Sequence, residues 1–323
     1  MNLQGRRALV TGATGFVGAN LVRGALASGA EVHVIVRPTS RLWRIEELLP
    51  RIHVHPADLA DAGAVGAAVT TARPHVVFHS AMAGGHPRND SEREEMLRVS
   101  VFGTASILET AWKAGVARFV HLGSWLEYLP RASPLREDAP VDPASFRGVA
   151  KAAATLLCRQ FSRERKWPLV VLRLFSVFGP WETATRFVPS AIRAALDGGE
   201  LPLTPPGVRR DFVFVEDVVE ACLLAAVADV DPGEVINVGS GEGHANEDVV
   251  ALVERASGRA VSVRLGEHPL GPHDGMHCAA EIQRAREVLG WTPRHSLPEG
   301  IARFVEWIRR YESGARSDGE RPA

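Results

Sequence analysis

Thr11-Gly12-Ala13-Thr14-Gly15-Phe16-Val17-Gly18 decides the fold. It follows an apolar run at 7–11 that suits a buried strand and leads into helical spacing over 18–28. Gly12 permits a tight turn, Gly15 lets backbone amides approach a pyrophosphate, and Gly18 lets helix and strand pack closely. The N-terminus of the following helix adds positive potential. The turn, with Thr14, Phe16 and Val17 around it, is expected to cradle a dinucleotide.

Outward from that turn, short apolar runs recur at 31–37, 52–56, 76–79, 118–122 and 169–174. Stretches with helical spacing, such as 103–114 and 149–163, lie between them. Alternating strands and helices predict right-handed crossovers and a doubly wound parallel Rossmann sheet of the α/β class. After Gly179-Pro180 the alternation breaks down into turn-rich segments, a strand-like run at 211–215 and helical stretches at 247–256, 281–289 and 297–311. The expected organisation is a dinucleotide domain at 1–175, with 211–240 returning to it. A smaller C-terminal substrate lobe is expected at 176–210 and 241–312, and a disordered tail at 313–323.

The 323 residues leave ample room for such a core. A net charge of -1 gives no overall basic field for nucleic acid or an anionic membrane, and no apolar run reaches the ~18 residues of a membrane span. The first residues lack a signal-peptide layout, and Cys158, Cys222 and Cys278 are scattered. Both observations suggest a cytoplasmic protein with reduced thiols. Only three of the 37 basic residues are lysine (Lys113, Lys151, Lys166), and Tyr128 and Tyr311 are the only tyrosines.

Strand two ends at Val36-Arg37, and no carboxylate follows in sequence until Glu46. A carboxylate there usually holds the ribose hydroxyls of NAD, whereas Arg37 and Arg41 could grip a 2′-phosphate. The expected cofactor is NADP(H), with NAD(H) as the alternative.

Several motifs, in order, resemble the extended short-chain dehydrogenase/reductases, the NAD-dependent epimerase/dehydratase group. Beside the glycine turn these are Asp58-Leu59, His79-Ser80-Ala81, Ser176-Val177-Phe178-Gly179-Pro180, Arg210-Asp211-Phe212-Val213-Phe214-Val215-Glu216-Asp217, Ile236-Asn237-Val238-Gly239 and Leu289-Gly290-Trp291-Thr292-Pro293. The resemblance implies a substrate cleft between the two lobes and a nucleotide-linked sugar as substrate. It implies cofactor contacts from Asp58, Leu59, Ser80 and Ala81, and places Arg210 and Ser176 at the substrate pyrophosphate. It also implies a homodimer formed through the helices at 103–114 and 149–163.

The family's catalysis uses Ser/Thr, Tyr and Lys, the last two one helical turn apart. Ser124 and Lys151 match, but the tyrosine position is Arg147 and its neighbour is Phe146. Three alternatives stand open. Another group supplies the proton, with His86 or Tyr128 as candidates. Arg147 acts electrostatically on an oxyanion or holds an anionic substrate. Or the fold has lost hydride chemistry and serves a redox-neutral reaction, or acts as a cofactor-binding regulatory protein. Trp125 and Leu126 replace the Asp-Glu pair of the family's sugar dehydratases, which disfavours elimination, and Trp125 would narrow the pocket. Ser100 stands where an Asn is usual. His268, His273, His277 and Cys278 crowd one loop but match no standard zinc spacing, so no metal is expected.

Overall fold

The computed structural model describes residues 3–85, 87–129, 134–271 and 277–318. Seven strands build the central sheet: β1 (Arg7–Thr11), β2 (Glu31–Val36), β3 (His53–Pro56), β4 (Val76–His79), β5 (Arg118–Ser124), β6 (Leu169–Leu174) and β7 (Glu234–Val238). Their order is β7-β6-β5-β4-β1-β2-β3, and every neighbouring pair is parallel. All six residues of β6 are buried, as expected of a parallel strand covered on both faces. The order reverses between β1 and β4, so their carboxyl ends open the crevice where such sheets bind ligands.

Ten α-helices lie among the described residues. In the first half these are α1 (Phe16–Ala27), α2 (Ala62–Ala72), α3 (Asp90–Leu97), α4 (Gly103–Lys113) and α5 (Phe146–Arg165). The second half adds α6 (Phe187–Asp197), α7 (Val215–Ala225), α8 (Asn246–Ser257), α9 (Gln283–Leu289) and α10 (Leu297–Asp318). One face of the sheet is covered by α1 and α7, which pack on each other, and by α9. The other face is covered by α2, α4 and α5. A separate core gathers α6, α8 and α10 around Phe178, Phe212 and Phe214.

Two elements depart from the sequence expectation. The strand-like run at 211–215 is shorter, Phe212–Phe214. It pairs in parallel with Ser176–Phe178 outside the main sheet, because Val215 already opens α7. The last helix does not stop at 311 but continues through Asp318, into the stretch expected to be a disordered tail.

Candidate active site

Steric demands on the glycine turn are strict. Gly12 has φ +71°, and a Cβ there would lie 2.7 Å from the Ala81 amide nitrogen. A Cβ on Gly18 would lie 2.1 Å from the Gly12 carbonyl oxygen. Ser80 Oγ donates to the Thr11 carbonyl at 2.7 Å, tying the end of β4 to the start of the turn. Gly15 caps α1 with no side-chain acceptor, and the first turn holds no acidic residue. The leading amides of α1 therefore face a cradle too tight for side chains and suited to a phosphate anion. Ser80 and Ala81 close the side of the turn against Gly12.

The ribose end differs from the sequence picture. Arg37 and Arg41 are both exposed, but Arg37 Nη1 lies 3.5 Å from Glu95 Oε1 on α3. Glu95 also takes Arg98 Nε at 2.7 Å, and Arg98 Nη2 reaches Asp58 Oδ2 at 3.0 Å. Hydrogen bonding from Arg98 holds the Asp58 carboxyl below its ordinary pKa. Leu59 is buried against Gly103, whose Cβ would come within 3.0 Å of it. Glu95 and Arg98 were not legible as site residues, since nothing in the sequence joins positions 37, 58 and 95.

Ser124 ends β5 and caps the short turn Trp125–Glu127, its Oγ accepting from the Leu126 amide at 3.2 Å. Glu127 folds back beneath it. Its Oε1 accepts from the Ser124 amide at 2.7 Å and from Thr155 Oγ1 at 3.0 Å, and its Oε2 pairs with Arg173 Nε at 2.8 Å. Lys151 is buried on α5 and donates to the Leu122 carbonyl at 2.6 Å. Burial lowers its pKa to about 8, with the Arg147 charge also pushing it down against the pull of Glu127. Arg147 lies one turn earlier on the same helix face. The start of α5 is pressed onto the Ser124 turn, since a Cβ on Gly148 would lie 2.3 Å from the Leu126 carbonyl oxygen. Lys151 is thus tied to β5 two residues before Ser124, and the start of α5, which carries Arg147, lies against the turn that Ser124 caps.

Tyr128 is removed as a proton donor. It is buried, its hydroxyl donates to Asn237 Oδ1 at 2.6 Å, and burial raises its pKa to about 12. His86 lies outside the described residues. Trp125 stacks loosely on Phe175 with ring centres 6.4 Å apart. Ser176 opens the short strand beside 212–214, and its amide donates to the Asp211 carbonyl at 2.9 Å. Arg210 lies on the two-residue strand Arg209–Arg210, between His244–Ala245 and His277–Cys278. Next to it, buried Asp211 accepts from the amides of Ser240, Gly241 and Ala280. Ser100 is buried in a π-helical turn, Arg98–Phe102, and its Oγ has no partner.

In the loop considered for metal, His273 lies outside the described residues, His268 Nδ1 sits 3.0 Å from the Pro269 carbonyl, and Cys278 is a buried free thiol. The described residues that bring ligand atoms together are Glu31, His33 and His53, within 4.8 Å of one another near the amino ends of β2 and β3, away from the crevice. No described helix is long and apolar enough to cross a membrane.

Over residues 8–239 the chain matches the model of the NAD dependent epimerase/dehydratase family. It is 32% identical to UDP-glucose 4-epimerase of Mycolicibacterium smegmatis, covering 94% of this chain and 98% of that one. Among solved structures it is similar to MoeE5 in complex with UDP-glucose and NAD. That likeness has a TM-score of 0.82 at 30% identity and covers 94% of this chain and 99% of that one. It is also similar to UDP-glucose 4-epimerase of Thermotoga maritima, with a TM-score of 0.86 at 26% identity and coverage of 94% and 99%. The chain belongs to the NAD-dependent epimerase/dehydratase family.

Proposed function

We propose that this chain reduces a keto group on a nucleotide-linked deoxysugar, or a similar small molecule, with a nicotinamide cofactor. The observation that carries the reading is Lys151 bonded to β5 just before Ser124, with Arg147 one helical turn earlier in place of a phenol. Epimerisation through a keto intermediate needs a group that takes a proton and later returns it. Arg147 stays charged across the working range and does neither readily. Reduction needs one proton, delivered once. Lys151, with a pKa near 8, can release a proton near neutrality, and the Ser124 hydroxyl can hand it to the carbonyl oxygen. The bound cofactor supplies the hydride.

The glycine turn, Asp58, Leu59, Ser80 and Ala81 would hold that cofactor, and Lys151 its nicotinamide ribose. Since Glu95 matches Arg37 and Asp58 matches Arg98, the ribose end supports NAD(H). NADP(H) would require Arg37 to leave Glu95 and join Arg41. Ser176 and Arg210 would take the nucleotide pyrophosphate. His86 stays a candidate pocket residue. The separate core of α6, α8 and α10 supports a substrate lobe at 176–210 and 241–312 beside a dinucleotide domain at 1–175 and 211–240, although Phe212 and Phe214 pack into that core. Phe102 (67% exposed), just before α4, and Val149 and Leu156 (52%) on α5 are exposed apolar side chains, which supports a homodimer. Buried free cysteines suit a reducing cytoplasm.

The test follows 340-nm absorbance with NADH or NADPH and nucleotide-linked 4-ketosugars such as dTDP-4-keto-6-deoxyglucose. Tight cofactor binding without oxidation by any ketosugar would sink the reductase reading. A second reading, redox-neutral epimerisation, draws support from the relatives named as 4-epimerases. It predicts inversion of UDP-glucose, seen by proton NMR, without net loss of cofactor.

A further inference from the structure

Arg147 is in an unusual position for a cation. Its Nε is removed from solvent and has no hydrogen-bond partner, and among the described residues its guanidinium forms no ion pair. The charges that act on it or that it acts on are themselves positive: Arg186 and Lys151. Glu127, which acts on Lys151, is committed to Arg173, the Ser124 amide and Thr155, while largely buried Glu182 lies 3.9 Å from Arg186 with its Oε2 unpartnered; neither bonds to Arg147. Arg147 is partly buried, and a guanidinium whose Nε is shut off from water beside like charges gains when an anion joins it.

We propose that Arg147, assisted by Arg186, is a binding subsite for a carboxylate carried by the sugar of the substrate. The inference rests on the nucleotide-sugar reading above and specifies the sugar as an acidic one. Three features point to a sugar carboxylate rather than the nucleotide's phosphates. Arg147 shares a helix face with Lys151, whose ammonium is bonded to β5 two residues before Ser124, so it stands where the sugar reacts. The pyrophosphate is assigned to a different part of the cleft, at Ser176 and Arg210. A planar guanidinium fork also matches a planar carboxylate in two parallel hydrogen bonds. An anion there would neutralise the cluster and raise the Lys151 ammonium's hold on its proton, which ties binding of an acidic sugar to the state of the proton reservoir.

The experiment is calorimetric titration of the wild-type protein with glucuronate and glucose, each linked to UDP and to dTDP. The expected result is at least tenfold tighter binding of the glucuronate member of a pair. Arg147→Gln should weaken glucuronate binding about 10- to 100-fold and leave glucose binding within about twofold, while Arg147→Lys keeps part of the preference. Equal wild-type affinity for both members of a pair overturns the subsite and leaves the nucleotide-sugar reading standing. Equal weakening of both ligands by Arg147→Gln also overturns it. Failure of all four ligands to bind overturns the nucleotide-sugar reading itself. The wild-type comparison decides the matter even where Arg147→Gln does not fold.

Discussion

Glu127 and Arg173 form an ion pair, Oε2 to Nε at 2.8 Å, with side chains 0% and 1% exposed. Burial alone would drive the guanidinium toward its neutral form, yet Glu127 and Tyr128 hold it charged. The second Glu127 oxygen accepts the Ser124 amide, so one carboxylate fixes both a buried cation and the end of β5. Glu127→Gln should leave Arg173 as an uncompensated buried charge and cost about 3–5 kcal/mol of stability. Urea unfolding measures this. A loss under about 1 kcal/mol would mean that Arg173 finds other acceptors, such as the Glu137 carbonyl at 3.3 Å.

Local sterics and periodicity made the sheet legible. Gly18 is dictated by its contact with Gly12 within one βα turn, and β1, β4 and β6 have the bounds their apolar runs indicate. β7 was harder to see, because Glu234–Val238 becomes a strand only by pairing with β6, far back in the chain. The site was legible where one segment supplies it, as with Ser124, Lys151 and Arg147. It was illegible where distant segments meet. Glu95 alters the Arg37 environment from across a crossover, and Asn237 locks Tyr128 into the core. A residue type can nominate a proton donor, but only its partners show whether it can act.

Arg147→Tyr restores the family's phenol one turn from Lys151. It also removes a charge that lowers the lysine's pKa. With neutral nucleotide-linked sugars the variant should gain about 100-fold in hydride-transfer rate, the usual scale of a positioned acid/base. The rate should also follow the phenol's titration. Single-turnover absorbance at 340 nm reads both. A variant slower than wild type on neutral sugars would show that Arg147 acts on the reacting oxygen itself.

Glu95 neutralises Arg37 at the ribose end. Removing that charge while keeping the side chain's shape, as in Glu95→Gln, should free Arg37 for a 2′-phosphate. NADPH binding should tighten about tenfold relative to NADH, consistent with one charge-assisted contact. Nicotinamide fluorescence titration with both cofactors measures the ratio. An unchanged ratio would mean that Arg37 does not face the ribose.

His79 makes stability depend on acid. It is fully buried in β4, with Nδ1 2.7 Å from Thr11 Oγ1 and Nε2 2.9 Å from Thr104 Oγ1. Burial first, and the Lys151 charge second, press its pKa down to about 3. In the unfolded chain an imidazole titrates near 6.5, so below that pH the unfolded state binds a proton that the folded state refuses. The stabilisation is complete above about pH 6.5 and falls by about 1.4 kcal/mol for each pH unit down toward 3. His121, stacked on His79 at 5.3 Å and held well below its ordinary pKa by burial, steepens the loss. His79→Gln should therefore lose about 2 kcal/mol less stability than wild type between pH 7 and pH 5. Urea midpoints at the two pH values provide the comparison. Parallel losses in both proteins would mean that His79 takes up a proton without unfolding, and that the two threonine hydroxyls accept from the charged ring.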